Sequence, residues 1–214
     1  MRYLLLLLLL TGCVAKAPVD PCLVSKNTVI AHFNEENWLA TIYIGELFMK
    51  KCPGHYGEAE INFVLGYAYD KKDYKLEAVN RMMMSTKQGL EYKLLWRAHD
   101  VWARNLLKLD RSEEALQVVE KAFMVTSVAD QIASLYRLQG NIYLNMKDPD
   151  KAIASFEMSQ PYDVGNAWTW TGMGTAYSYK KDWPKAKHYY ELALVEDPNN
   201  KTAKESLEWV EGQK

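Results

Sequence analysis

The 214-residue sequence carries almost no net charge, formally −1 at pH 7 with histidine neutral. It therefore offers no bulk attraction to nucleic acid or to anionic lipid. It also lacks an apolar run near the roughly 20 residues that a helix needs to cross a bilayer; the unbroken stretch Leu4–Leu10 is far shorter. There are only four histidines and three cysteines. No Cys-x-x-Cys or His-x-x-x-His spacing occurs, so no metal centre is expected, although His32 and His55 lie near Cys22 and Cys52. No catalytic constellation is present either. His32, His55, His99 and His188 are scattered, and Glu113-Glu114 falls where acids favour the first turn of a helix. Gly172-Met173-Gly174 has neither the preceding strand nor the third glycine of a phosphate loop. The chain is expected not to be an enzyme and to need no cofactor.

What is present suits a helical protein. Hydrophobic residues make up 49% and charged residues 25%, enough to build one sizeable core. The 14 tyrosines and 7 tryptophans are many, while 7 prolines and 11 glycines fall at intervals, as short turns between helices require. The three consecutive methionines Met82–Met84 cover most of a helical turn, so they cannot all face a core; either one is exposed and adaptable at a partner surface or they fill gaps in the core, the plainer role.

The start, MRYLLLLLLLTGC, has one positive charge, a short apolar core and small residues near a cut site, the pattern of a secretory signal. Leu10-Thr11-Gly12-Cys13 resembles the bacterial lipobox. That resemblance implies removal of residues 1–12, lipidation of Cys13 and a stable anchor of two or three acyl chains. Val14 after the cysteine, where an inner-membrane protein would have aspartate, implies an outer-membrane lipoprotein facing the periplasm. With Cys13 assigned to lipid, Cys22 and Cys52 either pair in that oxidising compartment or remain free thiols. Paired, they would staple the segment bearing Pro18 and Pro21 to the turn Lys51-Cys52-Pro53-Gly54.

Residues 167–200, AWTWTGMGTAYSYKKDWPKAKHYYELALVEDPNN, resemble a tetratricopeptide repeat (TPR). The resemblance rests on Trp170, Met173, Gly174, Tyr177, Ala186, Tyr190, Ala193 and Pro198. Gly174 and Ala186 suit close approach of the two helices of a repeat, the tyrosines fill the seam, and Pro198 ends the second helix. Weaker copies occupy 133–166 (Gly140, Tyr143, Ala152, Phe156), 96–129 (Ala103, Leu106, Ala115, Ala122) and 59–92 (Leu65, Gly66, Tyr69, Ala78). The turn of this first copy, Asp73-Tyr74, reads as one residue out of phase. The implied fold is all-α, a right-handed TPR superhelix of antiparallel helix pairs. Residues 35–58 read as an N-terminal helix or degenerate repeat, 13–34 as a lipidated tether extended over Val14–Thr28, and 201–214 as a polar capping helix.

TPR arrays present the second, fifth, sixth, ninth, twelfth and thirteenth positions of each repeat on a concave face. Here these give a partner-binding groove of Tyr67, Arg97, Asp100, Arg104, Lys108, Arg137, Asn141, Trp168 and Tyr179. Arg137 and Asn141 resemble part of the carboxylate grip of chaperone-binding TPR proteins, but Gly172 stands where that clamp needs a polar group. The expectation is an acidic or carboxylate-bearing segment at Arg104, Arg137 and Asn141, with Trp168 and Tyr179 as aromatic anchors. A lipid-anchored array of this kind resembles pilotin-type assembly lipoproteins of type IV and Tad pili and the helical-repeat lipoprotein of the barrel-assembly machine. It implies a scaffold with a protein or peptide partner in assembly of an outer-membrane machine. An adaptor for cell-wall hydrolases or synthases is the alternative; an enzyme accessory or small-ligand carrier is disfavoured because open grooves shed small molecules.

Overall fold

The computed structural model describes residues 20–163 and 165–213. The signal-like segment and Cys13 lie outside the described residues. Among those described, every regular element is a helix: α1 (Pro21–Asn34), α2 (Trp38–Lys51), α3 (Glu58–Lys71), α4 (Lys75–Lys87), α5 (Tyr92–Lys108), α6 (Ser112–Phe123), α7 (Ala129–Asn145), α8 (Pro149–Ser159), α9 (Ala167–Tyr179), α10 (Trp183–Glu196) and α11 (Lys201–Glu211). None is long and apolar enough to cross a membrane. Each helix packs mainly on its chain neighbours, and alternate helices α1, α3, α5, α7, α9 and α11 also touch in series. The result is a TPR superhelix of five helix pairs with α11 closing the end.

Local signals set the helix starts. The side chains of Asp20, Asn37, Asp148, Asn166, Asp182 and Asn200 each accept a hydrogen bond from a first-turn backbone N–H. Pro21, Pro149 and Pro184 occupy first turns, where a missing N–H costs nothing.

The turn within every pair has one geometry. Glu36, Asp73, Asp110, Lys147 and Lys181 sit at φ between 56° and 61°, in the left-handed region. Around each, the following N–H reaches back to the carbonyl five residues before it: Asn37 to His32, Tyr74 to Tyr69, Arg111 to Leu106, Asp148 to Tyr143, Asp182 to Tyr177, at 2.9–3.0 Å. The left-handed residue itself bonds three residues back, which completes a Schellman motif. These bonds offset the roughly 1–2 kcal/mol that a side chain costs in this conformation.

This turn corrects the sequence reading in three places. Asp73 occupies the same position as Asp110, Lys147 and Lys181, so the turn of the 59–92 copy is in phase. Glu36 marks a full first pair, α1 with α2, which aligns as residues 22–55. The extended tether over Val14–Thr28 gives way to helix from Pro21 onward, because Asp20 caps it, Cys22 is tied down and Val29 is fully buried. The turn recurs every 37 residues as far as Lys147, then after 34 at Lys181. The additional residues 93–95 and 130–132 lie within α5 and α7, whose 17 residues exceed the 13 of α9.

Packing runs as four apolar clusters along the chain, the one-dimensional order of a repeat protein. Met82 is fully buried, Met83 half-buried and Met84 exposed. Phe156 of α8 fills the space left by two glycines: a Cβ on Gly140 would stand 2.7 Å from its ring, and one on Gly172 would overlap it. Between α2, α3 and α4 the seam is polar. Arg81 bonds the Glu46 carboxylate and the Asn62 side-chain carbonyl, and Tyr69 donates to Glu46. Burial and the Glu46 carboxylate push the Tyr69 hydroxyl up to about 12. At the far end α11 buries Ala203 and Val210, while Trp209 meets Trp183 edge-on at the surface.

The structure joins Cys22 to Cys52, thirty residues apart, linking the first turn of α1 to the end of α2. Closing a loop of this length in the unfolded chain is worth about 3–4 kcal/mol on the loop-entropy account. In a repeat protein that stabilisation acts locally. The Cys22→Ser/Cys52→Ser variant should show faster amide hydrogen exchange in α1 and α2 and unchanged exchange in α9 and α10. A uniform rise along the chain would contradict this.

Candidate functional site

Helix residues three or four apart share a face. The second, fifth, sixth and ninth positions of successive first helices therefore form adjoining stripes. In the structure they line a concave cleft of about 660 Å3. α5 contributes Arg97, Asp100 and Arg104; α7 contributes Ser134, Arg137, Leu138 and Asn141; α9 contributes Trp168, Thr171, Gly172 and Thr175. Leu144 and Thr202 complete the C-terminal part, and Trp96 the N-terminal wall.

The cleft's charges are largely paired. Arg104 donates to Asp100 through Nε and Nη2, at 3.1 and 2.8 Å. Burial opposes the Arg104 charge, yet Asp100 outweighs it and raises the arginine's affinity for its proton. Arg137 donates to Asp163 at 2.7 Å, and Asn166 holds the same carboxylate oxygen at 2.8 Å. The two arginines expected to grip an acidic ligand thus already hold carboxylates of this chain. Arg97 is exposed and makes no ion pair among the described residues; its guanidinium lies 4.9 Å from the Trp96 ring. Asn141 is exposed with no side-chain hydrogen bond among the described residues. Trp168 is 66% exposed.

Three expected groove residues lie elsewhere. Lys108 pairs with Asp70 at 3.1 Å, and Asn105 donates to the same carboxylate, so this group bridges neighbouring repeats near their turns. Tyr179 stacks under Lys147, whose Nζ is 4.7 Å from the ring, and accepts its hydrogen bond. Tyr67 packs among Phe33 and Trp38, N-terminal to the main cleft. Trp96 and Thr202 were not anticipated. Thr202 is readable in hindsight: numbered as a sixth first helix, α11 places it at the second position. Trp96 carried no such signal, because the added turn of α5 alters which residues stand beside Arg97.

None of these groups forms a nucleophile–base pair, and no cluster of three or more potential metal ligands exists among the described residues. The arrangement can bind by charge-assisted hydrogen bonding and aromatic contact. The tetratricopeptide-repeat family profile matches residues 133–157, the stretch through α7 and α8. The fold is the TPR fold. A TPR-domain protein of the Arabidopsis thaliana chloroplast, PYG7, is 38% identical over 73 residues, 34% of this chain. The chain spans no more than 24% of the length of the curated relatives it matches. YrrB, described as a TPR protein with an unusual peptide-binding site, superposes with a TM-score of 0.69 at 17% identity, over 86% of this chain and 90% of its own. The second TPR domain of human RPAP3, solved with the HSP70 peptide SGPTIEEVD, superposes with a TM-score of 0.51 at 17% identity, over 57% of this chain and all of its own.

Gly172 serves packing as well as lining the cleft. Gly172→Ala should lower stability by about 1–3 kcal/mol through overpacking against Phe156. Adding Phe156→Leu should recover part of that loss in urea unfolding, because it removes the obstructing ring edge. Equal stability of Gly172→Ala and wild type would contradict the close contact.

Proposed function

We propose that this chain is a lipid-anchored TPR scaffold of the bacterial cell envelope that holds a protein segment in its concave groove during assembly of an outer-membrane machine such as a pilus or secretion system. The observation that carries the binding part is the cleft itself. It combines Arg97 and Asn141, whose side chains have no ion-pair or hydrogen-bond partner among the described residues, with a largely exposed Trp168 on one face of the solenoid. Rigid, exposed aromatic and arginine side chains are the usual energetic centres of protein interfaces. The peptide-bound RPAP3 domain and the peptide-binding site named for YrrB support the same use of the fold.

Partner choice centres on Arg97 in this reading, with Arg104 and Arg137 shaping the wall through their internal ion pairs. Crosslinking and co-purification from membranes should recover the partner with wild-type protein and lose most of it with Arg97→Glu. Lys87→Glu, exposed on α4 and outside the cleft, should leave recovery unchanged. Unaltered recovery with Arg97→Glu would sink the groove assignment. Recovery of cell-wall hydrolases or synthases instead of secretin or barrel components would redirect the assembly role.

The anchor rests on the lipobox-like Leu10-Thr11-Gly12-Cys13. Metabolic labelling with palmitate should mark the wild-type protein in a bacterial host and fail with Cys13→Ser, which should also leave the membrane fraction. Equal labelling of both would overturn the anchor.

A further inference from the structure

The concave face continues beyond Arg97. N-terminal to it lies a second hollow of about 390 Å3, walled by Phe33, Trp38, Phe63 and Tyr67 and bounded by Arg97. Its rings fix one another. Phe33 stands edge-on to Trp38 and to Tyr67, with centroids 5.8 and 5.6 Å apart. These ring contacts restrain the side chains before anything enters, which limits the entropy lost on binding. Phe63 and Tyr67 hold the fifth and ninth positions of their repeat, so this hollow extends the same stripe that forms the main cleft.

Arg97 borders both hollows, and it is the cation of the groove lining without a carboxylate partner among the described residues. Trp96 lies against its guanidinium, and Trp168 lines the cleft further along, on α9. Glu36 sits on the rim of the N-terminal hollow. A negative group is thus favoured at Arg97 and opposed at that rim.

We infer that the groove takes an extended internal segment of a protein partner in which one acidic residue lies between two bulky apolar ones. The first apolar side chain fills the Phe33–Trp38–Tyr67 hollow, the carboxylate meets Arg97, and the second rests on Trp168. A carboxylate supplied by a chain terminus fits less well, because the partner would end at Arg97 and leave one hollow empty. This inference rests on the groove reading above and adds the chemistry of the bound segment to it.

The test uses the full chain and fluorescein-labelled 12-residue peptides on a glycine-serine background. Each carries Phe, Asp and Leu in that order or its reverse, with the apolar residues two to six positions apart. An extended segment advances about 3.3 Å per residue, so the set spans about 7–20 Å. Fluorescence polarisation should find a spacing that binds at least tenfold tighter than its Asp→Asn form and either Phe→Ser or Leu→Ser form. Trp168→Ala and Tyr67→Ser in the protein should each weaken it about tenfold, and Arg97→Gln should erase the preference for Asp over Asn. Trp168 and Arg97 are exposed, so their variants fold; circular dichroism checks Tyr67→Ser. A peptide ending in a free carboxylate that binds as tightly and ignores Tyr67→Ser would overturn the two-anchor inference while the groove reading stood. If no spacing binds, the inference falls. Membrane co-purification with Arg97→Glu then shows whether the groove reading falls with it.

Discussion

At several helix contacts, within a repeat and between repeats, one helix gives up its side chain to the other. Phe156 shows the constraint most clearly: it occupies space that Cβ atoms on Gly140 and Gly172 would take. Gly174 stands in the same relation to Tyr190, and Gly45 to Leu65. These contacts set the spacing of the helices, and that spacing sets which faces of α5, α7 and α9 meet across the concave side. The cleft is therefore a product of packing on the opposite side of the same helices. Gly172 belongs to both, lining the cleft because it yields to Phe156 behind it.

The C-terminal repeat was readable because its small residues are glycine and alanine at Gly174, Ala186 and Ala193. The first pair, 22–55, was not. Its equivalent positions hold Val29, Thr41 and Phe48, all fully buried, and only Pro53 keeps the family's residue type. What identifies this pair is a backbone turn, and that turn tolerates Glu36, Asp73, Asp110, Lys147 and Lys181 alike because main-chain hydrogen bonds close it. A motif held by main-chain bonds leaves little trace in residue type.

The candidate site divides in the same way. Helical phase placed Arg97, Asp100, Arg104, Arg137, Asn141 and Trp168 on one face, and phase is legible in sequence. Charge pairing is not, when the partners lie far apart in the chain. Arg137 meets Asp163 twenty-six residues away, and Lys108 meets Asp70 thirty-eight residues away. Only the folded chain shows that most of the basic stripe is already neutralised. Among the described residues this leaves a nearly balanced groove with Arg97 as its open cation, beside aromatic walls. On the proposed reading, such a surface selects by the order of a partner's side chains more than by its overall charge.

The disulfide between Cys22 and Cys52 also has a mechanical meaning. A pull on the chain N-terminal to Asp20 would, without the bond, peel α1 from α2 one turn at a time. With it, the load passes from Cys22 straight to Cys52, and the residues between carry none of it. About 100 Å of potential extension is thereby withheld, at roughly 3.3 Å per residue. A scaffold held at one end while its groove grips a moving partner would keep its first helix pair, and the Phe33–Trp38–Tyr67 hollow with it, intact under tension.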